Sequence, residues 1–178
     1  MRQMVYSALF ASMMCIGAYI YIPIGPVPII LNNFFVLLSG LVLGPLWGAL
    51  SVILYLVIGA MGFPVFAGGK SGLAHLVGPT GGYLFGFVAS AWIAGLISHS
   101  QAFGNQRWRN VLAVLAGGLI VYIPGLLWLH VVTGMSWAKT LAVGCFPFLP
   151  GDALKAAGAA IVASRLNKVI LPAGTHTT

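Results

Sequence analysis

One acidic residue, Asp152, stands among 178 positions. A single carboxylate cannot make the acid pair of a glycoside hydrolase, nor the acidic ligands that hold magnesium beside a nucleotide. Two-carboxylate catalysis and ATP hydrolysis by this chain alone are therefore excluded. Charge of either sign is scarce: 5% of residues are charged, against roughly 25% in soluble globular proteins. Cysteine is almost absent as well. Cys15 and Cys145 lie in or beside apolar stretches with no partner at metal-site spacing, and read as small buried hydrophobes. Neither a nucleophile with its base nor a metal-ligand cluster stands out, which speaks against an intramembrane enzyme. Strict apolar–polar alternation in segments of about ten residues is also missing, which excludes an outer-membrane barrel.

What is present is apolar: 60% hydrophobic residues and a mean hydropathy of +1.04. This is the composition of an integral membrane protein. At about 20 residues per span, the length allows roughly six helices with short connections. Arg2 precedes an apolar run, yet no small-x-small cleavage site ends it and Met13-Met14 does not resemble a lipoprotein signal, so the run is expected to stay as the first span. The net charge of +7 points to nucleic acid only in a soluble protein. Here the basic residues sit at the ends of apolar runs, where they orient the chain in the bilayer.

The first span is expected over Met4 to Ile22, closed by the prolines of Pro23-Ile24-Gly25-Pro26-Val27-Pro28, which favour extended backbone. Leu31 to Leu43 makes a short second span. Gly44-Pro45 breaks it into a helical hairpin with the third, Leu46 to Met61. Gly62 to Gly82 is too rich in Gly and Pro for a span and too apolar for a free loop, as befits backbone that packs on protein or lines a cavity. Span four is expected over Tyr83 to Ile97, and span five over Val111 to Val132, kinked at Pro124-Gly125 and anchored by Trp128, with Trp137 a second anchor. Span six runs from Pro150 to Leu166, before a polar tail from Asn167. Six spans put both termini on one side. Arg2, Arg107, Arg109, Arg165 and Lys168 fall on that side and Lys70 and Lys139 on the other, so the termini are cytoplasmic. The proline loop, the Gly-rich connection and Asp152 then converge on the outer face.

Asp152 and Lys155 share a helix face, with Ala159 and Val162 below them. They either complement the helix N-terminus and one another or read a ligand. The cost of ionisable groups within a span favours the ligand. A face of Ala153, Ala156, Ala157, Ala160 and Ser164 suits close helix packing. Asn32 and Asn33 at the start of span two suit capping or hydrogen bonding to a ligand. Gly78-Pro79-Thr80-Gly81-Gly82 makes a ligand-hugging turn or a tight re-entry. His75 lacks the neighbours of a metal site. Gly69-Lys70-Ser71 resembles the end of a P-loop, but Pro64 stands where the motif needs glycine. Ser7-x-x-x-Ala11 and Ala8-x-x-x-Ser12 allow close approach of another helix.

Taken together, Gly62-Phe63-Pro64-Val65-Phe66-Ala67-Gly68-Gly69, Gly78-Pro79-Thr80-Gly81-Gly82-Tyr83-Leu84, Gly151-Asp152-Ala153-Leu154-Lys155 and Pro26-Val27-Pro28-Ile29 resemble the BioY family, the biotin-specific S components of energy-coupling factor transporters, over essentially the whole chain. The resemblance implies an all-α protein of six transmembrane helices in one domain over residues 1–178, with an outward Gly/Pro-rich loop between helices three and four. It implies a bacterial or archaeal cytoplasmic membrane, and biotin captured as transported ligand with no cofactor. The implied partners are a transmembrane coupling subunit and two ATPases, without nucleic acid. The family's last-helix Asp and Lys carry over onto Asp152 and Lys155, its amide at the start of span two onto Asn32, and its coupling-subunit contact onto Ala8, Ala11 and Ser12. Asp152 is expected to accept a ureido N–H and Lys155 to donate to the ureido carbonyl or the carboxylate, while Phe66, Tyr83 and Gly68-Gly69 close around the rings. A free-standing carrier, or an S component for another vitamin, is the competing expectation.

Overall fold

A computed structural model describes residues 1–23, 26–101 and 105–170, the last four by backbone alone. The expected polar tail therefore lies largely outside the described residues, as does the Lys168 side chain. The elements are α1 (Arg2–Tyr19), β1 (Tyr21–Ile22), β2 (Ile29–Ile30), α2 (Asn32–Ala60), α3 (Leu73–Leu76), α4 (Gly81–His99), α5 (Gln106–Ile120), α6 (Tyr122–Thr133), α7 (Trp137–Gly144) and α8 (Leu149–Ile170). The protein is an all-α membrane protein apart from the two-residue β1–β2 hairpin, whose pairs Tyr21–Ile30 and Ile22–Ile29 flank the proline loop.

The helical run of α2 conceals a reversal. Gly44 adopts φ 83° and ψ −177°, and Pro45 follows without an N–H to continue the ladder. In a straight helix Gly40 and Gly48 would be about 12 Å apart. Here a Cβ on Gly48 would sit 2.7 Å from the Gly40 Cα. The two arms of α2, residues 32–43 and 45–60, are thus packed antiparallel, as the Gly44-Pro45 signal predicts. The tip of this hairpin rests on α4, where Gly95 touches the Pro45 and Gly44 backbone.

Among the described residues, three helical stretches are long and apolar enough to cross a membrane: Asn32–Ala60, Gly81–His99 and Gln106–Thr133. A fourth is added if α7 and α8, bent by 45°, count as one. The third joins α5 and α6 through a turn at Val121. Pro124 has no N–H for the Ile120 carbonyl, so the irregularity falls one turn before the proline rather than at Pro124-Gly125. α7 was not foreseen: a run with Trp137 and Lys139 reads as loop by composition, yet forms two turns whose Thr140 is fully buried.

The core is made by α2 against α4, with α1, α5 and α8 around them, and Met14, Val36, Leu41, Val52 and Leu129 wholly buried. On α8 the packing face is Ala156, Ala159 and Ala163. Ala153 and Ala157 are exposed, so the expected small-residue face is rotated. Polar side chains tie the Arg109 end of the bundle together, with Ser98 donating to Asn110 Oδ1 at 3.1 Å and Asn110 donating to Ser164 at 3.2 Å. Trp128 is no free anchor: its indole N–H donates to the Gly78 carbonyl at 3.0 Å and holds the connection 61–80 against α6.

Candidate ligand-binding site

At the opposite end from Arg109, α2, α4, α6 and α8 and the connections 26–31 and 61–80 surround a cavity that is open at its mouth. Most of the wall is apolar: Val27, Pro28 and Ile30 from the proline loop and β2, then Leu84, Phe87, Val121 and Phe148. The prolines that stop a helix before Asn32 therefore also supply a wall.

The ionic pole is at the start of α8. Asp152 Oδ1 accepts from Lys155 Nζ at 3.0 Å, and its Oδ2 accepts from the Tyr122 hydroxyl at 2.6 Å. The two charged side chains are only 13% (Lys155) and 18% (Asp152) exposed, and both line the cavity. The i,i+3 spacing makes the pair local, whereas Tyr122 arrives from α6 and no spacing announces it. Lys155 keeps two ammonium N–H donors, and the carboxylate keeps lone pairs, for a ligand. The residues pair with one another, as the first alternative has it, and they also face the cavity.

Tyr83 also lines the cavity, its hydroxyl donating to the Gly144 carbonyl at 2.7 Å and its ring edge-on to Tyr122. Four other residues singled out in the sequence are not brought to the lining. Phe66 is fully buried behind it, wedged on Gly59, edge-on to Tyr55 at 5.6 Å and stacked on His75 at 5.1 Å. Gly68 and Gly69, at φ 68° and 76°, turn the connection against Tyr21 and Tyr19 instead. Ala67 lines the cavity in their place. Asn32 is fully buried beside the Tyr55 hydroxyl, and its neighbour Asn33 is the one on the wall. One step along a helix turns a side chain by about 100°, so adjacent asparagines cannot share a face. Tyr55 and Tyr122 join the lining unannounced, and Thr80 reaches it from the Gly78–Gly82 turn that the sequence offers as ligand-hugging. The available signal for Tyr55 and Tyr122 is a polar-tipped aromatic deep inside an apolar run, which needs a partner when buried.

His75 lines the cavity from α3, with Nε2 3.4 Å from Thr80 Oγ1. It lies in the connection outside α2 and α4. Burial, and secondarily the Lys70 ammonium, push its imidazole below the ordinary value of 6.5. Because the folded-state value is the lower one, this contribution to stability is intact above about pH 6.5 and lost as pH falls through the folded value. Thermal unfolding in detergent at pH 7.5 and 5.5 is expected to show an acid loss of stability that His75→Gln reduces. An equal loss in both proteins would refute the assignment.

The chain is 45% identical to a probable biotin transporter BioY of Pyrococcus horikoshii over 89% of this chain and 92% of that one. It is 43% identical to the biotin transporter BioY of Thermotoga maritima over 95% and 98%. Its structure superposes with a TM-score of 0.83 and 31% identity on a crystal structure described as the S-component for biotin from an ECF-type ABC transporter, covering 94% of this chain and 91% of that one. These are transporter components rather than enzymes. With residues 1–171 matching the family as well, a lone ionic pair on the last helix above an apolar cavity is found in a chain that belongs to the BioY family.

Proposed function

We propose that this chain captures biotin from outside the cell as the S component of an energy-coupling factor transporter. The observation that carries the reading is the cavity itself, an apolar chamber with a single ionic pole at Asp152 and Lys155. Biotin has a matching division: a ureido group with two N–H donors and one carbonyl, an apolar thioether ring, and a valerate chain ending in a carboxylate. Asp152 accepts a ureido N–H and Lys155 donates to the ureido carbonyl or the carboxylate. Tyr122 holds the Asp152 carboxylate in place. Tyr83 and the aliphatic walls surround the rings, and Asn32, Phe66, Gly68 and Gly69 shape the site from behind.

The chain is one domain over residues 1–178 and crosses the cytoplasmic membrane of a bacterium or archaeon six times: α1, the two arms of α2, α4, α5 with α6, and α8. The reversal at Gly44 supports counting α2 twice. α1 is counted although its 18 residues begin with the polar Arg2 and Gln3. Ser7 Oγ donates to the Trp47 carbonyl, which sets the α1 start beside the hairpin tip. His99 lies against Gly44 at that end too, so Arg2, Arg107, Arg109 and Arg165 favour it as cytoplasmic, with both termini there and the connection 61–80 outside.

The partners are a membrane coupling subunit and two ATPase subunits. Ala8 and Ser12 are exposed on α1 and suit close packing against a partner helix, whereas Ala11 is 1% exposed and belongs to the core. Leucine at both Ala8 and Ser12 is expected to leave biotin binding by the isolated chain unchanged. Uptake in vesicles reconstituted with the coupling subunit and ATPases should fall at least tenfold, and undiminished uptake would remove α1 as the contact.

Calorimetric titration of the detergent-purified chain with biotin, in competition with thiamine and riboflavin, tests the ligand. Binding of biotin at 1:1, uncontested by the other two, is expected. Preference for another vitamin would reassign the substrate, and accumulation by vesicles lacking any ATPase would favour a free-standing carrier.

A further inference from the structure

The connection 61–80 has an apolar face turned away from the protein. Met61, Phe63, Leu73 and Val77 are each more than half exposed, whereas Phe66, Ala67 and Leu76 of the same connection are buried. Leu73 and Val77 stand four residues apart and share one side of α3, where the Val77 N–H donates to the Leu73 carbonyl. Exposed apolar surface of this extent marks an interaction site.

Two lipid-facing rows run into it. On α2, Ile53, Val57 and Met61 recur every fourth residue and all are exposed, so the row on the second arm continues into the connection. On α4 the exposed row is Phe85, Trp92 and Leu96. Its near end is tied to the connection by Trp128, which is edge-on to Phe85 and donates to the carbonyl of Gly78, the residue after Val77. The exposed Tyr19 at the end of α1 donates to the Pro64 carbonyl, which sets a polar-tipped ring of the kind found at membrane–water boundaries beside Phe63. The backbone is prepared for the same surroundings. Lipid cannot satisfy an amide, and in this irregular stretch the N–H groups are used internally: Val65 donates to Phe63, Phe66 to Lys70 at 2.9 Å and Gly72 to Gly59 at 2.8 Å.

We propose that the connection 61–80 is seated in the membrane: Met61, Phe63, Leu73 and Val77 rest in the headgroup–acyl boundary of the bilayer, while Ala67, His75 and Thr80 face the cavity from the other side. The occupant is lipid rather than another protein, because the patch continues the lipid-facing rows of α2 and α4. Lys70, the only lysine or arginine of the connection, is exposed and suits the headgroup phosphates. Lipid then bounds the cavity on this side through a single layer of chain.

The test places a nitroxide on the full-length protein, with Cys15 and Cys145 replaced by alanine, through Phe63→Cys, Leu73→Cys or Val77→Cys. Val57→Cys and Lys70→Cys are the references for lipid and for water. In phosphatidylcholine–phosphatidylglycerol vesicles, power saturation reads collisions with oxygen, which concentrates in lipid, and with a water-soluble nickel chelate. Labels at Phe63, Leu73 and Val77 should match Val57 and exceed Lys70 by about fivefold in the oxygen-to-nickel ratio, since an interfacial apolar face settles below the headgroups. A variant without the wild-type thermal transition is replaced by Ala74→Cys, exposed on the same short helix. Nickel reaching these positions as readily as it reaches Lys70 would make the connection a flap in water. Shielding from both reagents would mean that protein, such as a second copy, covers it, and either result overturns the proposal.

Discussion

Replacing Asp152 by Asn should abolish most of the biotin affinity, by about a hundredfold, with little change of side-chain volume. Two losses add. A hydrogen bond to a charged group contributes about 1.5–3 kcal/mol, and every 1.4 kcal/mol is tenfold in affinity. The substitution also strips Lys155 of its only counter-ion: Asp152 is the sole acid in the sequence, and the Lys155 side chain is 13% exposed. An ammonium left unpaired at that depth draws in water or withdraws from the cavity, and either removes its donors from the ligand. Calorimetric titration measures the change, and the thermal midpoint of the unliganded protein separates it from misfolding. Affinity within threefold of wild type, in a protein with an unaltered midpoint, would mean that the ionic pole is structural and that the ligand is read elsewhere.

The second large effect is on folding, where two glycine-to-alanine changes of the same local kind should have opposite signs. In isolation, alanine favours a helix interior over glycine by about 1 kcal/mol. At Gly118 a Cβ would meet nothing within 4 Å, so Gly118→Ala should raise the thermal midpoint by a few degrees. At Gly95 the same atom would lie 2.4 Å from the Pro45 nitrogen and 2.5 Å from the Gly44 carbonyl carbon. Both are backbone atoms at a hairpin tip with no room to yield, so α4 must shift away from α2 across their most extensive contact. Overpacking of this kind costs about 1–3 kcal/mol or more. Gly95→Ala should therefore lower the midpoint by about 5–10 °C, read by thermal unfolding in one detergent. A midpoint at or above wild type would show that the hairpin tip is not seated on α4.

Much of the fold is legible in the sequence because membrane insertion depends on local quantities. Apolar runs, their length and the residues that interrupt them set where helices begin and end, and Gly44-Pro45 marks the reversal within α2 even though the helical assignment runs through it. Where charge carries the main signal the reading falters: α7, with Trp137 and Lys139, was not expected as a helix. The α8 packing face differs from the expected one because a stripe of alanines is small on every side. Only its neighbours decide that Ala156, Ala159 and Ala163 are covered while Ala153 and Ala157 are not.

The site divides along the same line. Asp152 and Lys155 stand three residues apart in one helix, and scarcity alone draws attention to them: a chain with a single acid has one place for an ion pair of this kind. Composition, the absence of a second acid and the order of apolar runs by themselves determine a helical membrane protein that is no enzyme of the two-carboxylate or nucleotide-hydrolysing kind. Tertiary structure alone decides what the pair faces. It brings Tyr122 from thirty residues upstream onto Asp152 Oδ2, puts Phe66 behind the wall, and chooses Asn33 over Asn32 for the cavity. A helix fixes the angles between its own side chains but not its rotation against its neighbours. That rotation is settled by close packing at positions such as Gly40, Gly59 and Gly95, where the partner atoms come from distant parts of the chain.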